Sequence, residues 1–151
     1  MNIIDCGLYK LKDSYFEKFS SKFLIQNKSE KRPFYCAIRS ADGIIWFIPL
    51  STQVKSYKLK IEKDKEKYGN CLYYHIGRIA GRERVFLIGN MIPVKIEYIR
   101  SAFTIKGVPY IVKDKALIKA IMTKAKRYLS LVKAGKLRPN LDILKIQSKL
   151  Q

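Results

Sequence analysis

Histidine is nearly absent from this chain and acid is scarce. One histidine, His75, and twelve Asp and Glu stand among 151 residues, so a two-histidine acid and base pair is impossible within one subunit. Two-metal cleavage would need several convergent carboxylates. The densest acidic group, Glu62, Asp64 and Glu66, alternates with Lys63, Lys65 and Lys67, the pattern of a solvated charged face. His75 lies in the aromatic run Tyr73-Tyr74-His75 and reads as a packed or surface strand residue. The three cysteines, Cys6, Cys36 and Cys71, are odd in number and lack a C-x-x-C pair, which argues against a zinc site or redox motif and for reduced, mostly buried thiols. Long apolar runs are missing too. The longest, Ile44 to Leu50, has seven residues against the roughly 20 that span a bilayer, and the first residues lack the basic start and apolar centre of a signal peptide. These absences predict a cytosolic protein with no membrane partner, no metal and no other cofactor.

What the chain has in excess is positive charge. Thirty-one Lys and Arg give a formal net charge of +19, a self-repulsion that a polyanionic partner relieves. Each phosphate neutralised by Lys or Arg releases condensed counterions, so such a surface binds a nucleic-acid backbone before any base is read. A 48% apolar content with ten Tyr and seven Phe supplies a core for one domain spanning 1–151.

Strand and helix signals alternate along the first third. Leu8 to Leu11 predicts a strand. Asp13-Ser14-x-x-Glu17 offers an N-cap and capping box for a short helix reaching about Phe19 to Phe23. After the basic loop 27–33, the runs 34–40 and 44–50 flank Ala41-Asp42-Gly43 as a tight hairpin. The lysine-rich stretch 54–68 is a solvated helix or a mobile arm closing at Gly69. Runs 71–79 and 84–88 predict a second hairpin, Met91 to Ile96 a strand with Pro93 near its start, and 102–105 and 108–112 two short strands. From Asp114 the period changes. Leu117, Ile118, Ile121, Ala125, Tyr128, Leu129 and Val132 recur at helical spacing opposite Lys119, Thr123, Lys126, Ser130 and Lys133. Asp114 caps this helix, Gly135 ends it, and Leu141 to Leu150 forms a last short one. Strands first and a long C-terminal amphipathic helix after them predict an α+β fold with a strongly twisted antiparallel sheet flanked by helices.

If RNA is the partner, the protein holds it or also cuts it. With paired histidines and clustered carboxylates excluded, the remaining route is attack by the ribose 2′-hydroxyl on its own phosphate. The protein then orients the strand and stabilises developing negative charge with Lys, Arg or hydroxyl donors. The segment Ile45 to Tyr57 fits: a buried strand stopped by Pro49 is followed by Ser51, Thr52, Gln53 and Lys55, which places donors at a rigid strand end. Ser-Thr after a strand is equally ordinary turn or capping chemistry.

Three motifs in order, Lys31-Arg32-Pro33-Phe34-Tyr35-Cys36-Ala37-Ile38, Trp46-Phe47-Ile48-Pro49-Leu50-Ser51-Thr52-Gln53-Val54-Lys55-Ser56-Tyr57 and Glu83-Arg84-Val85-Phe86-Leu87-Ile88-Gly89-Asn90-Met91-Ile92-Pro93-Val94, resemble the toxin component of type III toxin–antitoxin systems, most of all its CptN branch, related to ToxN and AbiQ. The resemblance implies an endoribonuclease acting without a metal and leaving a 2′,3′-cyclic phosphate and a 5′-hydroxyl. It also implies an RNA–protein assembly in which a small structured antitoxin RNA, processed by the toxin from a repeated precursor, inhibits it. The Pro-Leu-hydroxyl-hydroxyl stretch puts the active hydroxyl at Ser51 or Thr52. Lys55 matches the family's nearby lysine, Tyr15 its early tyrosine, and Arg32 the basic residue ahead of the Phe34 strand. In the ToxN pattern the second hydroxyl is serine and Pro-Lys follows directly, where this chain has Thr52 and then Gln53-Val54 before Lys55. Candidate contacts to RNA are Lys28, Lys31, Arg32, Gln53, Arg78, Arg82, Lys119, Lys126 and Lys133. Two other readings share the charge: a non-catalytic RNA-binding protein, and a nuclease toxin neutralised by a protein antitoxin.

Overall fold

The computed structural model describes residues 1–151. Nine strands and four helices follow in the order β1 (Leu8–Leu11), α1 (Asp13–Lys18), β2 (Phe34–Arg39), β3 (Ile45–Ser51), α2 (Val54–Tyr68), β4 (Tyr74–Ile79), β5 (Arg82–Leu87), β6 (Ile92–Val94), β7 (Ile99–Ala102), β8 (Thr104–Ile105), β9 (Val108–Pro109), α3 (Lys115–Lys133) and α4 (Ile143–Leu150). Every strand pair is antiparallel. The main sheet runs β4-β5-β3-β2-β1-β7, with β6 also paired to β3, and β8-β9 form a separate hairpin. The α+β architecture with an antiparallel sheet and a long amphipathic helix near the C-terminus is therefore the one the sequence predicts.

Strand β3 is the hub. Its residues Ile45 to Leu50 are all buried, as expected of a strand covered on both faces. One side of β3 pairs with β2; the other pairs with β6 over Ile45 to Phe47 and with β5 at Leu50 and Ser51. Pro49 does not stop it, contrary to the expectation from sequence. The Leu50 N–H donates to Pro33 O toward β2, so the alternation of strand hydrogen bonds aims position 49 the other way. There β3 is passing from β6 to β5 and no ladder bond is lost to the missing N–H.

The two main hairpins form where predicted. Gly43 has φ +87° and Asp42 Oδ1 accepts from Ile44 N. The β4–β5 turn is tighter than expected: Ala80 and Gly81, both at positive φ, make a two-residue turn, so Arg82 and Glu83 belong to β5. The helix–coil ambiguity at 54–68 resolves as a helix with no buried residue, ended by Gly69 in the left-handed conformation.

Helix α1 departs from expectation. It ends at Lys18, and its N-cap is Lys12 without a side-chain cap bond. Asp13 is committed elsewhere: its N–H donates to Glu30 Oε2 and its carboxylate accepts from Asn27 Nδ2. Long-range bonds to the loop replace the local capping box.

Register divides the sheet into two faces. Leu50 pairs with Phe86 and Ser51 with Val85, so the two β3 residues point to opposite sides. Helix α3 covers the Leu50 side, with Leu117 against Gly77 and Phe86; its buried residues are Leu117, Ile121, Ala125, Tyr128, Leu129 and Val132. Asp114 caps it by accepting from Ala116 N and Leu117 N. Helices α1 and α2 lie on the other face, through Phe16 on Phe34 and Tyr57 on Tyr74. A Cβ at Gly77 would stand 2.6 and 2.7 Å from the Leu117 methyls. Gly77→Val should therefore overpack this seam and lower stability by about 1–3 kcal/mol, read from urea denaturation; unchanged stability would show that α3 is not seated there as described.

Candidate functional site

The junction of β3 and α2 is held by an arginine. Arg32 is only 8% exposed; its Nε donates to Gln26 O and its Nη1 to Leu50 O, each at 2.7 Å. These two bonds tie the loop before β2 to the end of β3. Burial lowers the Arg32 pKa, and neighbouring Tyr57 acts in the opposite direction. The Nη2 atom makes no bond within the protein. The loop itself is strained. Lys28, Ser29 and Glu30 are three successive non-glycine residues at positive φ, each unfavourable on its own. They are held by the Glu30 carboxylate, which accepts from Arg100 and Asp13 N, and by Asn27, which donates to Leu11 O and Asp13 Oδ1.

Directly after Leu50, the Ser51 hydroxyl is half-buried and accepts from Gln53 N at 3.1 Å, the turn chemistry anticipated for a Ser-Thr strand end. Thr52 is exposed and its hydroxyl makes no bond within the protein. Gln53 is exposed at the start of α2 and supplies no side-chain cap; the Val54 N–H donates to Thr52 O, and the Lys55 and Ser56 N–H groups that follow are open to an anion. Lys55 is exposed. The half-buried positions of α2 are Val54, Tyr57, Ile61 and Asp64, and at 3.6 residues per turn Lys55 lies on the outer side of the helix from them. The fold thus brings Arg32, Ser51, Thr52 and Lys55 to one strand–helix junction, with Arg32 bonded to the carbonyl that precedes Ser51 and Lys55 facing solvent.

Tyr15 does not join them. It is fully buried, its hydroxyl donates to Pro93 O at 2.7 Å, and its ring packs against Phe16, Phe19 and Tyr98. Burial raises its pKa far above the ordinary phenol value. Pro93 pairs with Trp46, five residues before Ser51 along β3. In this fold Tyr15 packs in the core and bonds to β6.

Residues that sequence reasoning passed over complete the junction. Tyr57 packs against Tyr74 with ring centroids 4.8 Å apart and planes tilted by 57°, and the Lys60 amine lies over both rings at 4.7 and 5.9 Å. The helical phase Val54, Tyr57, Ile61 would have selected Tyr57 had 54–68 been read firmly as a helix.

The other predicted contacts scatter. Lys28 and Lys31 are exposed on the strained loop, and exposed Arg78 donates to Gly81 O at the β4–β5 turn. Arg82 lines a groove of about 640 Å³ with Arg84, Lys106, Pro33 and Leu50. Lys119, Lys126 and Lys133 are exposed on α3, which lies on the opposite face of the sheet from Ser51. Three ion pairs, Arg39–Asp5, Lys58–Glu83 and Arg100–Glu30, engage only a small part of the cationic surface. No three His, Cys, Asp or Glu side chains converge as a metal site would require, and no helix is long and apolar enough to cross a membrane.

The chemistry this allows is charge stabilisation by donors at a rigid junction. Tyr15→Phe should leave Pro93 O without its donor and cost about 1–3 kcal/mol of stability while leaving RNA affinity unchanged. Loss of affinity at unchanged stability would return Tyr15 to the site.

By sequence the chain matches no family model and no curated protein; by structure it has clear neighbours. One is ToxN, from the structure reported as "A processed non-coding RNA regulates a bacterial antiviral system", with a TM-score of 0.65 and 14% identity over 94% of this chain and 95% of that one. Another is AbiQ, described as a lactococcal anti-phage endoribonuclease belonging to the type III toxin–antitoxin system, with a TM-score of 0.59 and 17% identity over 82% and 80% of the two chains. The chain has the fold of ToxN and AbiQ.

Proposed function

We propose that this chain is the endoribonuclease toxin of a type III toxin–antitoxin system, of the CptN branch, acting on cellular RNA without a metal and restrained by a small structured RNA that it cuts from a repeated precursor. The observation that carries the reading is the fold shared over 94% of the chain with ToxN and over 82% with AbiQ. It stands on a surface of net charge +19, which suits an RNA partner and an assembly of protein with RNA in the cytoplasm.

In this reading the scissile phosphate sits at the β3–α2 junction. The adjacent 2′-oxygen bonds to phosphorus as the bond to the 5′-oxygen breaks, giving a 2′,3′-cyclic phosphate and a 5′-hydroxyl. The 2′-proton passes to solvent or a site hydroxyl and the departing oxygen takes one back. Arg32, already immobilised by two backbone carbonyls, presents its unengaged Nη2 to the charge that builds on the phosphoryl oxygens. The Thr52 and Ser51 hydroxyls and the open first turn of α2 add donors, and Lys55 adds a mobile cation at the rim. Donors fixed before the reaction need no reorganisation during it.

The experiment is a paired measurement of single-turnover cleavage and RNA affinity on the same variants. Removing one placed donor typically costs about 2.7–4 kcal/mol of transition-state stabilisation, roughly 10² to 10³ in rate. The Ser51/Thr52 double alanine variant and Lys55→Ala should each lose cleavage on that scale and keep affinity, because a broad phosphate interface draws on many charges. Wild-type rates in both would place the site elsewhere. Affinity itself should fall steeply with salt, log affinity against log salt having a slope of about −0.7 per single-strand phosphate engaged; a flat response would refute a backbone-dominated interface.

A further inference from the structure

We infer that a second pocket, beside the junction, receives one unstacked base of single-stranded RNA. It has a volume of about 280 Å³ and lies between the loop after α1, the turn joining β5 to β6, and the α3–α4 connection. Its walls include Phe23, Tyr73 and Tyr128, and its polar groups are Asn90, Asn140 and Arg138. This rests on the reading above only for the identity of the ligand as RNA.

Two of its aromatic rings meet solvent, Phe23 at 44% exposure and Tyr73 at 36%, where a folded core would hide them. Tyr73 is locked in place. Its carbonyl accepts from Gly89 N, its ring lies edge-on to Tyr128 at 6.2 Å, and the Tyr128 hydroxyl donates to Gly89 O. A Cβ at Gly89 would come within 3.0 Å of the Tyr73 ring, so the glycine is what lets that ring lie there. The stacking surface is formed in advance, and binding does not have to order it.

The polar groups match a base edge. Asn90, Asn140 and Arg138 make no side-chain bond within the protein, and amide and guanidinium groups are the side chains that pair bidentately with purine edges. Every base has a face to stack and an edge to read, whereas an apolar peptide would leave these three polar groups unpaired. A basic trough of about 350 Å³ shares the Asn140 and Leu141 walls and carries Lys18, Lys145 and Lys149, suited to the phosphates of neighbouring nucleotides.

The pocket is linked to the junction at two points. Ile25 in its wall precedes Gln26, whose carbonyl accepts from Arg32. Tyr73 in its wall is followed by Tyr74, whose ring packs against Tyr57 at the start of α2. A base held here fixes which nucleotide stands beside the phosphate at Arg32, and so sets the sequence preference of cutting.

The test uses single-stranded RNA blocked against cleavage by 2′-O-methyl groups, with 2-aminopurine moved along the strand. In wild-type protein one probe position should be quenched on binding beyond the others. Phe23→Ala and Tyr73→Leu should weaken binding roughly five- to a hundredfold, abolish that quenching and leave the salt slope unchanged. Asn140→Ala, at an exposed position, should keep stacking but reduce the affinity difference between adenine and the other bases at that position. Phe23 and Asn140 keep the test decisive if Tyr73→Leu does not fold. Uniform quenching along the strand, or unchanged affinity in Phe23→Ala together with unchanged base preference in Asn140→Ala, overturns the pocket. Position-specific quenching by a protein that never cuts the unblocked RNA upholds the pocket and contradicts the nuclease reading.

Discussion

The Arg32 guanidinium, clamped between the carbonyls of Gln26 and Leu50, is the interaction on which the functional end of the molecule depends. A buried cation is tolerated only with partners for its donors, and here the partners are two backbone segments far apart in sequence. The clamp fixes where β3 ends, and therefore where Ser51, Thr52 and the start of α2 lie. It also explains the strain upstream. Three left-handed residues in succession persist because Glu30, Arg100, Asp13 and Asn27 overdetermine the loop, and the loop delivers Arg32 to its place. Stability is spent to build a pre-positioned charge.

Charge sets the second constraint. A net +19 is barely offset by three ion pairs, two of them between largely exposed partners and worth little in water. The fold survives because its charge is pushed outward. Helix α2 buries nothing and carries lysines along its length, while the sheet beneath and α3 supply the apolar core. That leaves cations on both faces of the sheet, the α3 lysines on one and the β3–α2 junction on the other, so an RNA touching all of them has to wrap the sheet edge.

Local chemistry was legible in the sequence and long-range chemistry was not. Asp42-Gly43 specified its turn, the three- and four-residue spacing from Leu117 to Val132 specified α3, and Asp114 and Gly135 marked its ends, because each signal acts within a few residues. Pro49 misled because its effect depends on which side of β3 has a partner, a fact of topology. The Asp13 capping box failed because Asn27 and Glu30 claimed the aspartate from a distance. Tyr15 is buried by Phe16, Phe19 and Tyr98 and bonds to Pro93 O, 78 positions along, contacts that no local signal announces. Of the candidate site, the Ser51 to Lys55 segment and Arg32 could be named from their motifs. The clamp, the Tyr57–Tyr74 ring pair and the amine of Lys60 above it required the fold.

The central claim is that donors at a strand end direct a ribose hydroxyl against its own phosphate. Mass spectrometry of the ends produced from a defined RNA in EDTA tests it most directly, with a matched RNA carrying one 2′-deoxy at the cut. The account predicts a 2′,3′-cyclic phosphate, a 5′-hydroxyl and survival of the deoxy substrate. Products with a 5′-phosphate, or cutting of the deoxy substrate at the normal rate, would contradict it.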